Sequence, residues 1–197
     1  MYQKEYEKIT DKLVEDGYII LKDLFSPAFN KELLNSLDEH NFKKAGISSA
    51  SALHIDTQRR RDKICWLEDS DKAQKEFLNF CDGLREYLNR SLYLGLSYYE
   101  AHFAIYEEGD FYEKHLDAFK GSKNRVVTTV YYLNEDFSKE DGGELLIYNK
   151  DDKLVTNVIP NANTLVVFLS EEFPHEVLPA KKKRHSIAGW FRVDKTS

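Results

Sequence analysis

His115-Leu116-Asp117 places an imidazole and a carboxylate two residues apart. On an extended strand, residues i and i+2 project from the same face, so both groups can reach one metal ion. The triplet alone is weak evidence. With six histidines in 197 residues, roughly one such chain in two holds an H-x-D by chance, and His54-Ile55-Asp56 is a second instance here. Context separates them: His54 falls in a polar, aperiodic stretch, whereas His115 ends a predicted strand. His175, within Pro174-His175-Glu176-Val177, adds another imidazole 58 residues after Asp117. Two histidines and one carboxylate leave coordination positions open, an arrangement suited to iron(II), O2 and a bidentate cosubstrate. Arg184 follows nine residues later. Its planar guanidinium can grip the far carboxylate of a dicarboxylate at two points, where lysine would grip less directionally.

These residues need strands to carry them. From Ser97 onward, runs rich in Val, Thr, Tyr, Phe and Leu recur between turn signals and predict strands near 98–106, 111–115, 126–133, 144–148, 153–159, 164–169, 174–178 and 185–193. The breaks include Gly109-Asp110, Gly121-Ser122 and Asp141-Gly142-Gly143. The first half reads mainly as helix. Ile9, Leu13 and Val14 fall at helical spacing before Gly17, and Ser26-Pro27 is an N-cap with an N1 proline. Phe29, Leu33, Leu34 and Leu37 form an apolar face, as do Phe77, Phe80, Leu84 and Leu88 within 73–92. A short strand is expected over Tyr18–Leu21, and a loop or irregular hairpin between Lys43 and Asp62. The strands alone suit a sandwich equally well; the arrangement of the polar residues favours an α+β, mainly β fold. This is a double-stranded β-helix, or jelly roll, with the N-terminal helices packed on one sheet. One domain over 1–197 is expected, with 1–96 as helical support and entrance loop and 97–197 as the jelly-roll core.

The segment Tyr106-x-x-Gly109-x-x-Tyr112-x-x-His115-x-Asp117 resembles the prolyl 4-hydroxylase branch of the iron(II)/2-oxoglutarate-dependent dioxygenases. It looks most like the hypoxia-factor prolyl hydroxylases and their bacterial relatives. The resemblance continues through Arg125, Thr128, Tyr131-Tyr132-Leu133-Asn134, Gly142-Gly143, His175-Glu176-Val177-x-Pro179, Arg184 and Trp190-Phe191. Upstream, Arg60-x-Asp62-Lys63-Ile64-x-Trp66 is similar to that group's mobile loop at the active-site mouth. The resemblance implies iron(II) on His115, Asp117 and His175. It implies 2-oxoglutarate held by Arg184, Tyr132 and Tyr106, with Leu145 packed on it. Arg125, Asp62, Arg60 and Trp190 would meet the substrate, and no side chain beyond the metal ligands need be catalytic. It further implies consumption of O2 with ascorbate as an accessory reductant, release of succinate and CO2, and hydroxylation of a prolyl residue in a protein, for which a translation factor is the analogy-based candidate. Two departures stand out. Ala188 occupies a position where a hydroxyl residue is often found, and His102 one where methionine is common; His102 is expected to fill space or meet water. The run Lys181-Lys182-Lys183 reads as a solvated turn.

Composition narrows the alternatives. Apolar residues make up 42% and charged residues 31%, a globular balance. The 12 Tyr and 12 Phe offer rigid groups to line a pocket. A net charge of −6 speaks against unspecific nucleic-acid binding. No run approaches the ~18 apolar residues of a membrane helix, no secretory signal is visible, and Cys65 and Cys81 read as reduced thiols, so a cytoplasmic location is expected. His40 and His54 are expected to be exposed. Two other readings stay open: the same chemistry on a free amino acid, another side chain or a nucleic acid, and a jelly-roll binding module without catalysis.

Overall fold

Alternation of apolar and polar residues needs two surfaces to bury against, and the chain supplies them as two sheets and a helical layer. The computed structural model describes residues 2–48, 53–54, 56–118 and 124–194. The break expected at Gly121-Ser122 and the side chain of His54 lie outside the described residues. In chain order the elements are α1 (Gln3–Glu15), β1 (Tyr18–Lys22), α2 (Pro27–Asn35), β2 (Lys43–Lys44), β3 (Ile47–Ser48), β4 (Leu53–His54), β5 (Lys63–Trp66), α3 (Lys72–Leu92), β6 (Tyr98–Tyr106), β7 (Tyr112–His115), β8 (Arg125–Tyr132), β9 (Leu145–Tyr148), β10 (Leu154–Val158), β11 (Thr164–Leu169), β12 (His175–Val177) and β13 (Arg184–Arg192).

The strands form a seven-stranded sheet in the order β1-β11-β8-β13-β6-β5-β2, a four-stranded sheet in the order β10-β9-β12-β7, and the β3-β4 hairpin. The eight strands expected after Ser97 all occur, with ends shifted by a residue or so. The N-terminal half contributes strands to the major sheet as well as helices. β1 pairs antiparallel with β11, Tyr18 opposite Phe168. Lys63–Trp66, expected as part of a mouth loop, is instead a strand paired with β6, Trp66 opposite His102. The irregular hairpin expected after Lys43 is present as β3-β4.

Local chemistry accounts for the helices. Ser26 caps α2 by accepting from the Phe29 amide, with Pro27 at the first helical position. Asp71 caps α3 in the same way from the Gln74 amide. α1 stops before Gly17, whose φ of +77° suits a residue without a Cβ. Ile9 and Leu13 are buried as expected, but Val14 is 68% exposed and lies off the packed face.

The three helices cover one face of the major sheet. Phe77, Leu84 and Leu88 of α3 pack in one core with Phe103, Tyr131, Ile187 and Phe191 from the sheet. Full burial of each such side chain contributes about 1.5–3 kcal/mol. The opposite face meets the minor sheet across a second core that includes Val130, Leu145, Ile147, Val166 and Phe168. The inner face of the major sheet is thereby backed by helices and held rigid from behind.

Candidate active site

β7 and β12 are antiparallel neighbours, and His175 pairs directly with His115. Directly opposed residues share a sheet face, and the two imidazoles stand with ring centroids 4.4 Å apart. Asp117 lies just past the end of β7. One Asp117 oxygen, Oδ1, is 3.7 Å from His115 Nε2, and the other, Oδ2, is 3.7 Å from His175 Nε2. One ligand atom from each residue lies within 4.8 Å of the others.

The two imidazoles are oriented alike. His115 Nδ1 is 2.7 Å from the Glu113 carbonyl and His175 Nδ1 is 3.0 Å from the Phe173 carbonyl. A carbonyl can only accept, so these contacts assign the proton to Nδ1 and leave the Nε2 lone pairs for a metal. Burial, with His175 next in weight, pushes His115 down to about 3, which keeps it neutral. Burial would raise the Asp117 carboxyl, but the neighbouring His175 and His115 hold it below the ordinary carboxylate range. Thr128 Oγ1 donates to Asp117 Oδ2 at 2.8 Å and lies 2.8 Å from the Ser170 hydroxyl. Adjacent donors on an ion at about 2.1 Å stand about 3.0 Å apart. One atom from each residue lies within 4.8 Å of the others, so the set fits a metal once the side chains draw in by an ångström or two.

Behind the triad, the sheets enclose a cavity of about 560 Å³, counting its open mouth. Arg184 lies at its inner end and is 1% exposed. Its guanidinium carbon is 4.7 Å from the Tyr106 ring and 5.1 Å from that of Tyr132. Its only side-chain hydrogen bond among the described residues runs from Nη1 to Ser186 Oγ at 3.2 Å. No carboxylate pairs with it among those residues, and its Nε and the Tyr132 hydroxyl are buried without partners. Burial pushes the Tyr132 phenol up to about 12, against the pull of the Arg184 charge, so it stays a donor. Orphaned donors around a buried cation cost several kcal/mol unless an anion completes them. Gly143, with φ +69°, makes room: a Cβ there would lie 3.0 Å from Arg184 Cδ. Leu145 also lines the cavity.

The four residues expected on the substrate side, Arg60, Asp62, Arg125 and Trp190, line the same cavity. Arg125 stacks over Trp190, guanidinium carbon to ring centroid 3.9 Å. Arg60 grips Asp62 at two points, 2.6 and 2.9 Å, with Asp62 fully buried. Asp62 is thus already occupied, and the pair shapes the wall as a unit. Arg60 also lies over the Tyr112 ring, which stacks on His115 at 3.7 Å. His102 lines the cavity between the indoles of Trp66 and Trp190. Ala188 lines it too, leaving an apolar surface there. His40 is exposed and His185 partly buried. The lysine turn is more than solvated: Lys182 pairs with Asp141 at 3.1 Å and Lys183 with Glu39 at 2.6 Å. Sequence reasoning did not assign Ser186 or Ser170. Ser186 was within reach, two residues from Arg184 on the same strand face. Ser170 lies 42 residues from Thr128 and carries no local signal.

Two histidines and a carboxylate within 4.8 Å of one another, with a buried, incompletely paired arginine on the same cavity, suit a metal ion and a carboxylate-bearing ligand. The chain belongs to the 2OG-Fe(II) oxygenase superfamily, whose family model matches residues 101–192. It is similar to a prolyl-4-hydroxylase crystal structure from Pseudomonas putida, with a TM-score of 0.87 and 35% identity over 96% of this chain and 99% of that one. A prolyl hydroxylase from Trichoplax adhaerens, solved with a hypoxia-inducible-factor peptide fragment, aligns with a TM-score of 0.83 and 25% identity over 96% of this chain and 89% of that one. The hypoxia-inducible factor prolyl hydroxylase of Caenorhabditis elegans is 30% identical over 98% of this chain, which spans only 25% of that protein's length.

Proposed function

We propose that this chain is an iron(II)- and 2-oxoglutarate-dependent dioxygenase that hydroxylates a prolyl residue in a protein substrate. The observation that carries this reading is the buried Arg184 guanidinium, without a carboxylate partner among the described residues, in the cavity that His115, Asp117 and His175 also line. The names of the similar proteins supply the substrate class.

The geometry supports a role for each residue. His115, Asp117 and His175 would hold iron(II), one ligand atom from each lying within 4.8 Å of the others. Arg184, with Tyr132 and Ser186 beside it, would hold the distal carboxylate of 2-oxoglutarate, and Leu145 and Tyr106 line the same cavity and would contact the rest of it. Bound iron(II), with 2-oxoglutarate and O2, supplies the oxidant that hydroxylates a C–H bond, releasing succinate and CO2. The chain's own part is orientation and exclusion of water, which keeps that oxidant on one target. Arg125 and Trp190, with the Arg60–Asp62 pair, line the mouth where the substrate chain would lie.

We extend this reading in four respects. The whole chain acts as one catalytic domain, since β1 and β5 from its first half sit in the same sheet as the core strands. Ascorbate serves as accessory reductant. The partner is a protein presenting an accessible proline, with a translation factor as the narrower candidate by analogy with bacterial relatives. The location is cytoplasmic, which two unpaired cysteines support; no described helix is long and apolar enough to cross a membrane.

Succinate formation from 2-oxoglutarate, measured with iron(II), ascorbate and air, tests the class. Proline-containing peptides, including translation-factor segments, are added and weighed for a gain of one oxygen. Metal-dependent succinate that vanishes in His115→Ala, with oxygen gained at proline, is the expected result. A wild-type protein that binds neither metal nor 2-oxoglutarate overturns it.

A further inference from the structure

The mouth contains a chain of charges that the proposed contacts do not use. Glu100 on β6 lies opposite Trp190 on β13. Its Oε1 accepts a hydrogen bond from Arg192 Nη1, and that same oxygen is 4.0 Å from Arg125 Nη2. The other arm of Arg125, Nη1, stands 3.9 Å from Asp117 Oδ1. Arg125 is therefore shared between a carboxylate at the mouth and a carboxylate of the triad, while its plane rests on Trp190.

This arrangement sets up a competition. Asp117 Oδ2 accepts the Thr128 hydroxyl, whereas Oδ1 stands between His115 Nε2 at 3.7 Å and Arg125 Nη1 at 3.9 Å. Two cations can claim it: a metal ion on the His115 side, or the Arg125 guanidinium on the other. At 3.9 Å the guanidinium stops short of hydrogen-bond distance. Glu100 supplies the opposing pull, and Arg192 fixes Glu100 in place.

We propose that Glu100 is a positioning residue that holds the Arg125 guanidinium off the metal-facing oxygen of Asp117, a role that rests on the triad binding a divalent metal. Without the Glu100 charge, Arg125 closes on Asp117 and competes with the ion. With it, Arg125 stays over Trp190, at the wall where substrate passes. Glu100 thus couples metal loading to the readiness of the mouth without touching either ligand.

The test is Mn(II) binding to the full-length chain, followed by the electron paramagnetic resonance signal of the free ion. Glu100→Gln is expected to weaken Mn(II) affinity about tenfold, the order produced when a guanidinium closes by about 1 Å on a carboxylate in a medium of intermediate polarity. The same change made in an Arg125→Gln background should then have no effect, because the competitor is gone. Arg125→Gln alone should bind Mn(II) at least as tightly as wild type. It serves as the independent reading should Glu100→Gln lose its fold by circular dichroism. Unchanged affinity in Glu100→Gln, or weaker binding in Arg125→Gln, overturns the proposal. So does an equal loss from Glu100→Gln in both backgrounds, which marks a long-range effect of charge rather than placement of Arg125. If wild type binds no Mn(II), or His115→Ala binds it as tightly, the triad reading itself fails.

Discussion

Replacing Arg184 with methionine should cripple cosubstrate binding while leaving the ligand-free protein as stable as before, or more so. The side chain is fully buried, packs against Tyr106 and Tyr132, and among the described residues has an orphaned Nε and only the Ser186 hydroxyl as a side-chain hydrogen-bond partner. Two charge-assisted hydrogen bonds to a carboxylate are worth about 1.5–3 kcal/mol each. Their loss amounts to about 3–6 kcal/mol, or roughly 10²- to 10⁴-fold in 2-oxoglutarate affinity. The free protein responds in the opposite sense. Exchanging an incompletely paired buried charge for an apolar side chain of similar volume is neutral or stabilising by about 1–4 kcal/mol. Calorimetric titration of 2-oxoglutarate into Mn(II)-loaded protein reads the first quantity, and urea unfolding of metal-free protein reads the second. A methionine variant that keeps its affinity within about threefold, or that loses more than about 2 kcal/mol of stability, would show that Arg184 is there for the fold. The assignment of the carboxylate pocket would then be wrong.

Three further outcomes follow from the same geometry. Thr128→Val removes the donor to Asp117 Oδ2 with little change of shape; metal affinity should drop about 10- to 100-fold, as for other groups that orient a ligand, measured by Mn(II) titration. Asp62→Asn leaves the largely buried Arg60 without its two-point partner and should cost about 3–5 kcal/mol in urea unfolding. His102 is pushed down to about 4, chiefly by burial and then by the Arg60 charge. The unfolded chain therefore takes up a proton near pH ~6.5, which the folded chain refuses until about pH 4. His102 should contribute up to about 3 kcal/mol to a fall in stability as pH drops through that window, and His102→Met should lessen the slope in the metal-free protein.

The core strands were legible because each is a β-rich run closed by turn residues, and pairing in the sheet moved their ends by little. β5 was not legible. Lys63-Ile64-Cys65-Trp66 is four residues long with both ends exposed, so no alternation marks it. It is a strand because β6 offers it a partner, a fact of tertiary structure. The triad and Arg184 could be read because strand periodicity and side-chain chemistry are local properties. The Thr128–Ser170 support and the Arg125–Glu100–Arg192 chain could not, because they join strands that are adjacent only after folding. The Arg60–Asp62 pair shows a different limit. Both residues were placed at the mouth, but no local rule indicates that they satisfy each other.

β7 is the outermost strand of its sheet, zipped on one side to β12. On its other side the Arg59–Arg61 segment is laid along it: Arg60 bridges to Tyr112, the Arg61 amide donates to the Phe111 carbonyl, and the Glu113 amide donates to Arg59. The lip of the pocket therefore doubles as a selvedge, binding off the edge strand that carries His115, a proposed metal ligand. Fraying there would undo the weave from the margin inward, so wear at the doorway would surface first as a leaking metal and only later as a lost fold.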